Sequence, residues 1–340
     1  MLRLSDAAGI LTAVPYLIGF EPHDSLVVLA LHGPRRRVGL TLRVDLDGGP
    51  PSALAAEVAR HVATDLSGSA VRAAIAVIYK GRGSDDQADA AAGSSRSQLV
   101  TRLRSRLSAE GVRVLNVLHV QGGRWWSDAP CQDPACCPPD GGLLPKAGRP
   151  GAPPSSSLAA ATLVADGRAV LPDRAALEQL LDADPAADHA AVRQAMLECE
   201  GVDRTSTLRR LRPAARAAAA GRRLSDVAVA RLGAGLRAVP MRDEVLSLVI
   251  EPGAADLREL FIQLVQRLPP PDDAQVAAML AWIAHAEVSG ALANVAVERA
   301  LAALPEHSLA RLVDSALRQG LPPERLHEVA RALRAGSAAS

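Results

Sequence analysis

Ser25–Leu46 reads SLVVLALHGPRRRVGLTLRVDL, and this stretch decides the fold. Residues 25–31 (SLVVLAL) are a short unbroken apolar run rich in Val and Leu, the pattern of a fully buried strand. His32-Gly33-Pro34 turns the chain, and residues 37–46 (RVGLTLRVDL) alternate as a second strand. The pair predicts an antiparallel hairpin. Outward from it, Ala-rich residues 52–66 predict a helix and 71–79 (VRAAIAVIY) a strand. Residues 81–95 read as a solvated loop of Gly, Ser, Asp and Ala, 97–109 as a helix and 112–120 (VRVLNVLHV) as a strand. Ahead of the hairpin, residues 7–20 (AAGILTAVPYLIGF) predict an amphipathic first helix capped by Ser5 or Asp6. The order helix, strand, strand, helix, strand, helix, strand is that of an α/β layer with a mixed sheet and crossover helices.

Residues 129–157 break this pattern with eight Pro and three of the four Cys, and read as a loop. Residues 158–181 predict a helix, a short strand near Ala169–Leu171 and a helix from Pro172-Asp173. They are assigned to an α/β domain over 1–182. Beyond it the chain reads as helical, in short pieces punctuated by Pro213, Pro240, Pro252, Pro269–Pro271, Pro305 and Pro322-Pro323. Such pieces on short connections imply an all-α domain over 183–340, a bundle or a repeat-like array.

Composition narrows the function classes. A formal net charge of +1 argues against whole-molecule affinity for nucleic acid or an acidic membrane. The 340 residues include 36 Arg against two Lys, and only seven aromatics. A GC-rich bacterial genome is the simplest cause. Residues 7–20 have the apolar character of a secretory signal, but Asp6 precedes the run, Pro15 interrupts it and Phe20-Glu21-Pro22 is no small-residue cleavage site. Four Cys in a chain of this length fit a reducing compartment. The expectation is a cytoplasmic protein, with no membrane partner.

Several motifs together carry a family resemblance. Residues 2–31 (LRLSDAAGILTAVPYLIGFEPHDSLVVLAL), Gly122–Trp126 (GGRWW), Asp133–Pro139 (DPACCPP), Gly290–Leu301 (GALANVAVERAL) and Ser308–Pro323 (SLARLVDSALRQGLPP) carry it. In these the chain resembles an actinobacterial family catalogued as a domain of unknown function. The resemblance implies an actinobacterial origin and supplies no activity, substrate or catalytic residue. Ala293, Val297, Ala300 and Pro305 also resemble the second helix of a tetratricopeptide repeat, with Trp282 on the preceding helix. An ordinary helical domain with small-residue packing accounts for the same spacing.

Ligands of open α/β sheets bind beyond the carboxyl ends of parallel strands. With 37–46, 71–79 and 112–120 running one way, the loop Gly19–Ser25 (GFEPHDS), the 81–95 loop and the segment from Gln121 meet at that edge. His23, Asp24, Ser25, Arg124, Trp125, Trp126, Ser127 and Asp128 are the candidate ligand or partner residues. If Arg124–Ser127 is extended, Trp125 and Trp126 point to opposite faces, one filling the core and the other free to anchor a partner. The alternative packs both under the Pro-rich loop. If Gln121-Gly122-Gly123 is instead a hairpin turn, Arg124–Ser127 runs back along the sheet.

Other signals point in separate directions. Cys131, Cys136 and Cys137 (C-x4-C-C) offer three zinc ligands, with His119, His23 or Asp133 to complete a tetrahedron. A redox thiol pair or inert loop cysteines fit the same residues, and no other cofactor is expected. His23-Asp24-Ser25 holds triad residue types, but consecutive residues cannot take triad geometry with one another. The chain lacks G-x-x-x-x-G-K-[ST], G-x-S-x-G and H-E-x-x-H. Gly81-Arg82-Gly83 lacks the third Gly of a phosphate loop, and Asp85-Asp86 would repel phosphate. Arg204–Arg223 holds seven Arg and no acid: a solvated face, a contact for an acidic protein, or a nucleic-acid site. The leading reading is a non-enzymatic cytoplasmic interaction or regulatory protein, its helical domain meeting a protein partner. The rivals are a hydrolase or transferase at the sheet edge, with or without zinc, and nucleic-acid binding through Arg204–Arg223.

Overall fold

A computed structural model describes residues 7–33, 37–63, 71–80, 89–129, 138, 140–144, 170–199 and 203–338. The chain divides into two compact units, Met1–Arg174 and Ala175–Ser340. An N-terminal mixed sheet with helices is followed by an all-helical region.

The first unit opens with α1 (Ala7–Ile18), whose residues are buried on nearly every side. The expectation of an amphipathic helix is corrected here. A helix apolar all round is a core helix, which accounts for the signal-like composition of residues 7–20. The capping expectation at Ser5 or Asp6 lies outside the described residues. β1 (Ser25–His32) is buried along its whole length and pairs antiparallel with β2 (Arg37–Asp45), as the hairpin pattern predicts.

β3 (Val71–Tyr79) lies on the other side of β1, also antiparallel, and β4 (Arg113–Gln121) is parallel to β3. The central position of β1 is why it carries no polar alternation. α2 (Pro51–Ala63) and α3 (Asp89–Ala109) are the crossovers. Both pack with Leu26, Val28, Ala76, Ile78 and Val117 on one sheet face. The helix begins at Asp89 and replaces much of the loop read over 81–95: Ala90–Ala92 supply helix propensity that the Gly and Ser content obscures. β5 (Arg124–Ser127) and β6 (Gly142–Leu143) complete the order β2-β1-β3-β4-β5-β6.

The second unit carries α4 (Arg174–Gln179), α5 (His189–Glu198), α6 (Arg204–Ala219), α7 (Asp226–Leu236), α8 (Val239–Ser247), α9 (Ala255–Arg267), α10 (Asp272–Ala286), α11 (Gly290–Ala303), α12 (Ser308–Arg318) and α13 (Pro323–Ala338). Residues 175–182, assigned from the sequence to the first domain, fall in this unit. There Leu181 is buried and the Gln266 amide donates to the Leu180 carbonyl at 2.9 Å. Side chains cap several helices: Asp188, Asp203 and Ser225 each accept a backbone N–H in the first turn. α6 runs through Pro213, where a break was expected. Pro213 and Arg209 are both exposed, so water reaches the carbonyl that the proline leaves without its donor.

α10 is buried almost throughout and touches α7, α8, α9, α11, α12 and α13. In a linear repeat stack a unit meets its neighbours alone; α10 is instead the hub of a globular helical core. Ala293, Val297 and Ala300 are buried on α11, which packs along α10.

Candidate functional site

Strand register places one row of residues across the sheet: Asp45, Ser25, Tyr79, Val120, Trp125 and Gly142. Directly opposed residues share a face, so Ser25, Tyr79 and Trp125 point the same way. Ser25 and Trp125 are three strands apart, about 14 Å at the usual interstrand spacing. The eight candidate edge residues therefore fall into two groups.

The first group is the turn into β1. His23 and Asp24 are exposed and Ser25 is buried. The Ser25 hydroxyl donates to the His23 carbonyl. Asp24 takes a left-handed conformation (φ 40°), and its carbonyl accepts the Leu46 N–H at 2.8 Å. Ser25 is thus a strand-start residue, its hydroxyl spent on the turn.

The second group is β5, reached by a hairpin. Gly122 and Gly123 both have positive φ (58° and 76°), the conformation of a two-residue type I′ turn. The alternative held open at Gln121-Gly122-Gly123 is therefore the correct one, and Arg124–Ser127 runs back along β4. Trp125 is 5% exposed and Trp126 is 37% exposed, on opposite faces. The chain crossing from Gly141 into β6 passes close to both indoles. A Cβ at Gly142 would collide with Trp125 Nε1, and one at Gly141 would stand 2.6 Å from Trp126 Nε1. Arg124 donates to the carbonyls of Asp140 and Gly141 at 3.0 and 3.1 Å, holding this crossing in place.

The remaining β5 residues are tied to neighbours. Ser127 Oγ donates to Asn116 Oδ1 at 2.9 Å. Asp128 accepts from Arg104 of α3 at 3.0 Å, and its other oxygen lies 3.8 Å from His119 Nε2. Arg104 also donates to the Val114 carbonyl at 3.1 Å. Ser127 opposes Leu118, whereas Trp126 opposes His119 on the other face. Ser127, His119 and Asp128 therefore form no triad.

What the β5 face does assemble is a surface cluster. Trp126 shares its face with Leu143, which pairs with Arg124 and is 75% exposed, and with the His119, Asp128 and Arg104 group. An exposed indole and aliphatic side chain rimmed by charge is the composition of a contact patch. The sequence reading missed Arg104 and Leu143. Nothing local distinguishes Arg104 from Arg102 or Arg106, and Leu143 sits in a stretch read as loop.

It also missed Tyr79. This phenol is buried in the row between Ser25 and Trp125, and its hydroxyl has no hydrogen-bond partner among the described residues. Burial, reinforced by the negative charge of Glu21, pushes its pKa up.

Cys131, Cys136 and Cys137, the zinc or thiol candidates, lie outside the described residues, as does Gly81-Arg82-Gly83. Among the described residues no group of three or more His, Cys, Asp or Glu could hold a metal ion. Cys199 is a half-buried residue at the C-terminus of α5. In the Arg204–Arg223 run, Arg204 pairs with Glu244, Arg212 with Glu251 and Arg223 with Asp184. No helix among the described residues is long and apolar enough to cross a membrane.

No curated protein and no solved structure matches this chain. Residues 8–324 match the family described as "Domain of unknown function (DUF4192)". That match takes in both the sheet-bearing unit and nearly all of the helical one, and the chain belongs to the DUF4192 family.

Proposed function

We propose that this protein is a non-enzymatic binding protein of the cytoplasm, and that its sheet-bearing unit meets a macromolecular partner through β5 and β6. The observation that carries this reading is Trp126: a large aromatic left 37% exposed beside exposed Leu143, with Arg104, Asp128 and His119 at the rim. Trp and Arg dominate binding energetics at protein interfaces because they combine large apolar area with directed polar contacts. The residues of catalytic type have structural duties that support the same reading. Ser25 and Ser127 donate to a carbonyl and an amide, and Asp128 holds Arg104.

Photo-cross-linking in the native cell tests it. A benzophenone amino acid at position 126 or 143 is expected to capture one common partner, and the same probe at the exposed position 23 is not. Adding Arg104→Glu should abolish the adducts. Equal labelling from all three positions, or none from 126 and 143, would overturn the proposal.

A further inference from the structure

A second, independent surface lies in the helical unit. Arg209, Arg212 and Arg216 stand at i, i+3 and i+7 on the exposed side of α6, a spacing that aligns them on one helix face. Arg212 pairs with Glu251, which also takes Arg334 of α13. Arg209 and Arg216 have no carboxylate partner among the described residues, and no acid occurs between Arg204 and Arg223.

Beside this stripe opens a cleft of about 230 Å³. Its floor is apolar, formed by Ala215, Leu248 and Leu257; Arg212, Arg216 and Glu251 form the walls. The volume falls below the roughly 300–1,000 Å³ of small-molecule sites. It suits a single inserted side chain. Positive charge beside an apolar slot is complementary to a segment with an apolar residue between acids. Phosphate backbones fit less well. Glu251 and Asp256 also line the cleft, Glu251 offset by Arg212 and Arg334; against a nucleic acid, no aromatic residue lies within 204–223 for base stacking.

We propose that this surface docks an acidic amphipathic peptide segment of a protein partner. One Leu- or Phe-like side chain enters the cleft, and flanking carboxylates meet Arg209 and Arg216. The i, i+3, i+7 spacing matches carboxylates carried on one face of a bound helix.

Selection of a random peptide phage library on the full-length protein tests this. The expected clones place Leu or Phe between acids, and the corresponding synthetic peptides bind in solution. Arg209→Glu/Arg216→Glu should weaken them about tenfold or more, as loss of interfacial charge pairs does. Arg102→Glu/Arg106→Glu, with the same change in net charge on the exposed side of α3, should leave binding unchanged. Circular dichroism and melting curves of both double variants establish that they fold; Arg204, Arg212 and Arg223 are left alone because they hold ion pairs. Failure to enrich acidic clones, or equal binding by the two double variants, would overturn the proposal. So would displacement of the peptide by a single-stranded oligonucleotide with steep salt dependence, which would assign the stripe to nucleic acid.

Discussion

Gly142 lies where the backbone of β6 passes the buried Trp125 indole, with no room for a methyl group. Gly142→Ala must displace either the ring or the strand. Overpacking of this kind costs about 1–3 kcal/mol, and a fall in Tm of the sheet-bearing unit by several degrees is expected on thermal denaturation. Tyr79 presents the opposite case. Its hydroxyl is buried without a partner among the described residues, a situation that costs about 1–3 kcal/mol. Tyr79→Phe removes the oxygen and keeps the ring, so chemical denaturation should show equal stability or a gain of up to about 1 kcal/mol. A loss would mean that the hydroxyl has a partner in solution. Neither residue stood out in the sequence. A glycine in a Gly/Pro-rich stretch looks like loop chemistry, and a tyrosine ending an apolar strand looks like core. Only the neighbours across the sheet separate these roles.

At the level of elements, the α10 C-terminus shows strain. Val288 occupies the left-handed position (φ 62°) after the helix. Its N–H bonds the His285 carbonyl at 3.0 Å and the Ser289 N–H bonds the Ala284 carbonyl at 2.8 Å. These are the two bonds of a Schellman cap, which ordinarily carries Gly at this position. A β-branched residue there is strained by roughly 1–3 kcal/mol. Val288→Gly should relieve part of that, raising stability by about 1 kcal/mol in chemical denaturation, since the side chain is half-exposed and loses little packing. Element types were legible in the sequence wherever the pattern was long and local: β1, β3, β4 and the Pro-punctuated helices. Direction was not legible at Gln121-Gly122-Gly123, because both a continuing extension and a reversal satisfy the same residues. Positive φ at both glycines decides for reversal, and with it Asp128 moves away from His23 and toward Arg104.

On the scale of the whole molecule, the helical unit carries a built-in acid sensitivity. His285 is buried and bonded through Nε2 to the Leu321 carbonyl at 2.8 Å. His307 caps α12 through Nδ1 and bonds Gln275 through Nε2 at 2.7 Å. Burial lowers both pKa values; the Arg242 charge adds to this at His307, while the Leu321 bond and Glu324 oppose it at His285. Folded pKa values below the unfolded value of about 6.5 mean that the unfolded chain binds more protons as pH falls. The stability from these neutral rings is complete above about 6.5 and is lost as pH drops through the folded values. Asp273, whose burial raises its pKa against the pull of Arg299, works in the opposite sense. Tm of the helical unit should therefore fall between pH 7.5 and 5.5, and His285→Gln/His307→Gln should flatten that slope. An unchanged slope would remove the two histidines as its cause.

What the sequence by itself determined was the local layer: which segments are apolar enough to be core, where the hairpin and crossovers lie, and where sheet gives way to helices. These follow from periodicity and turn chemistry, which act over a few residues. Tertiary structure alone decided that α1 is buried all round, that α10 is a hub and that His23–Ser25 and Arg124–Asp128 are separate places. It alone exposed Trp126 beside Leu143 and left Arg209 and Arg216 without an acidic partner among the described residues. Burial and pairing depend on partners tens of residues away, and no local pattern encodes which partner arrives.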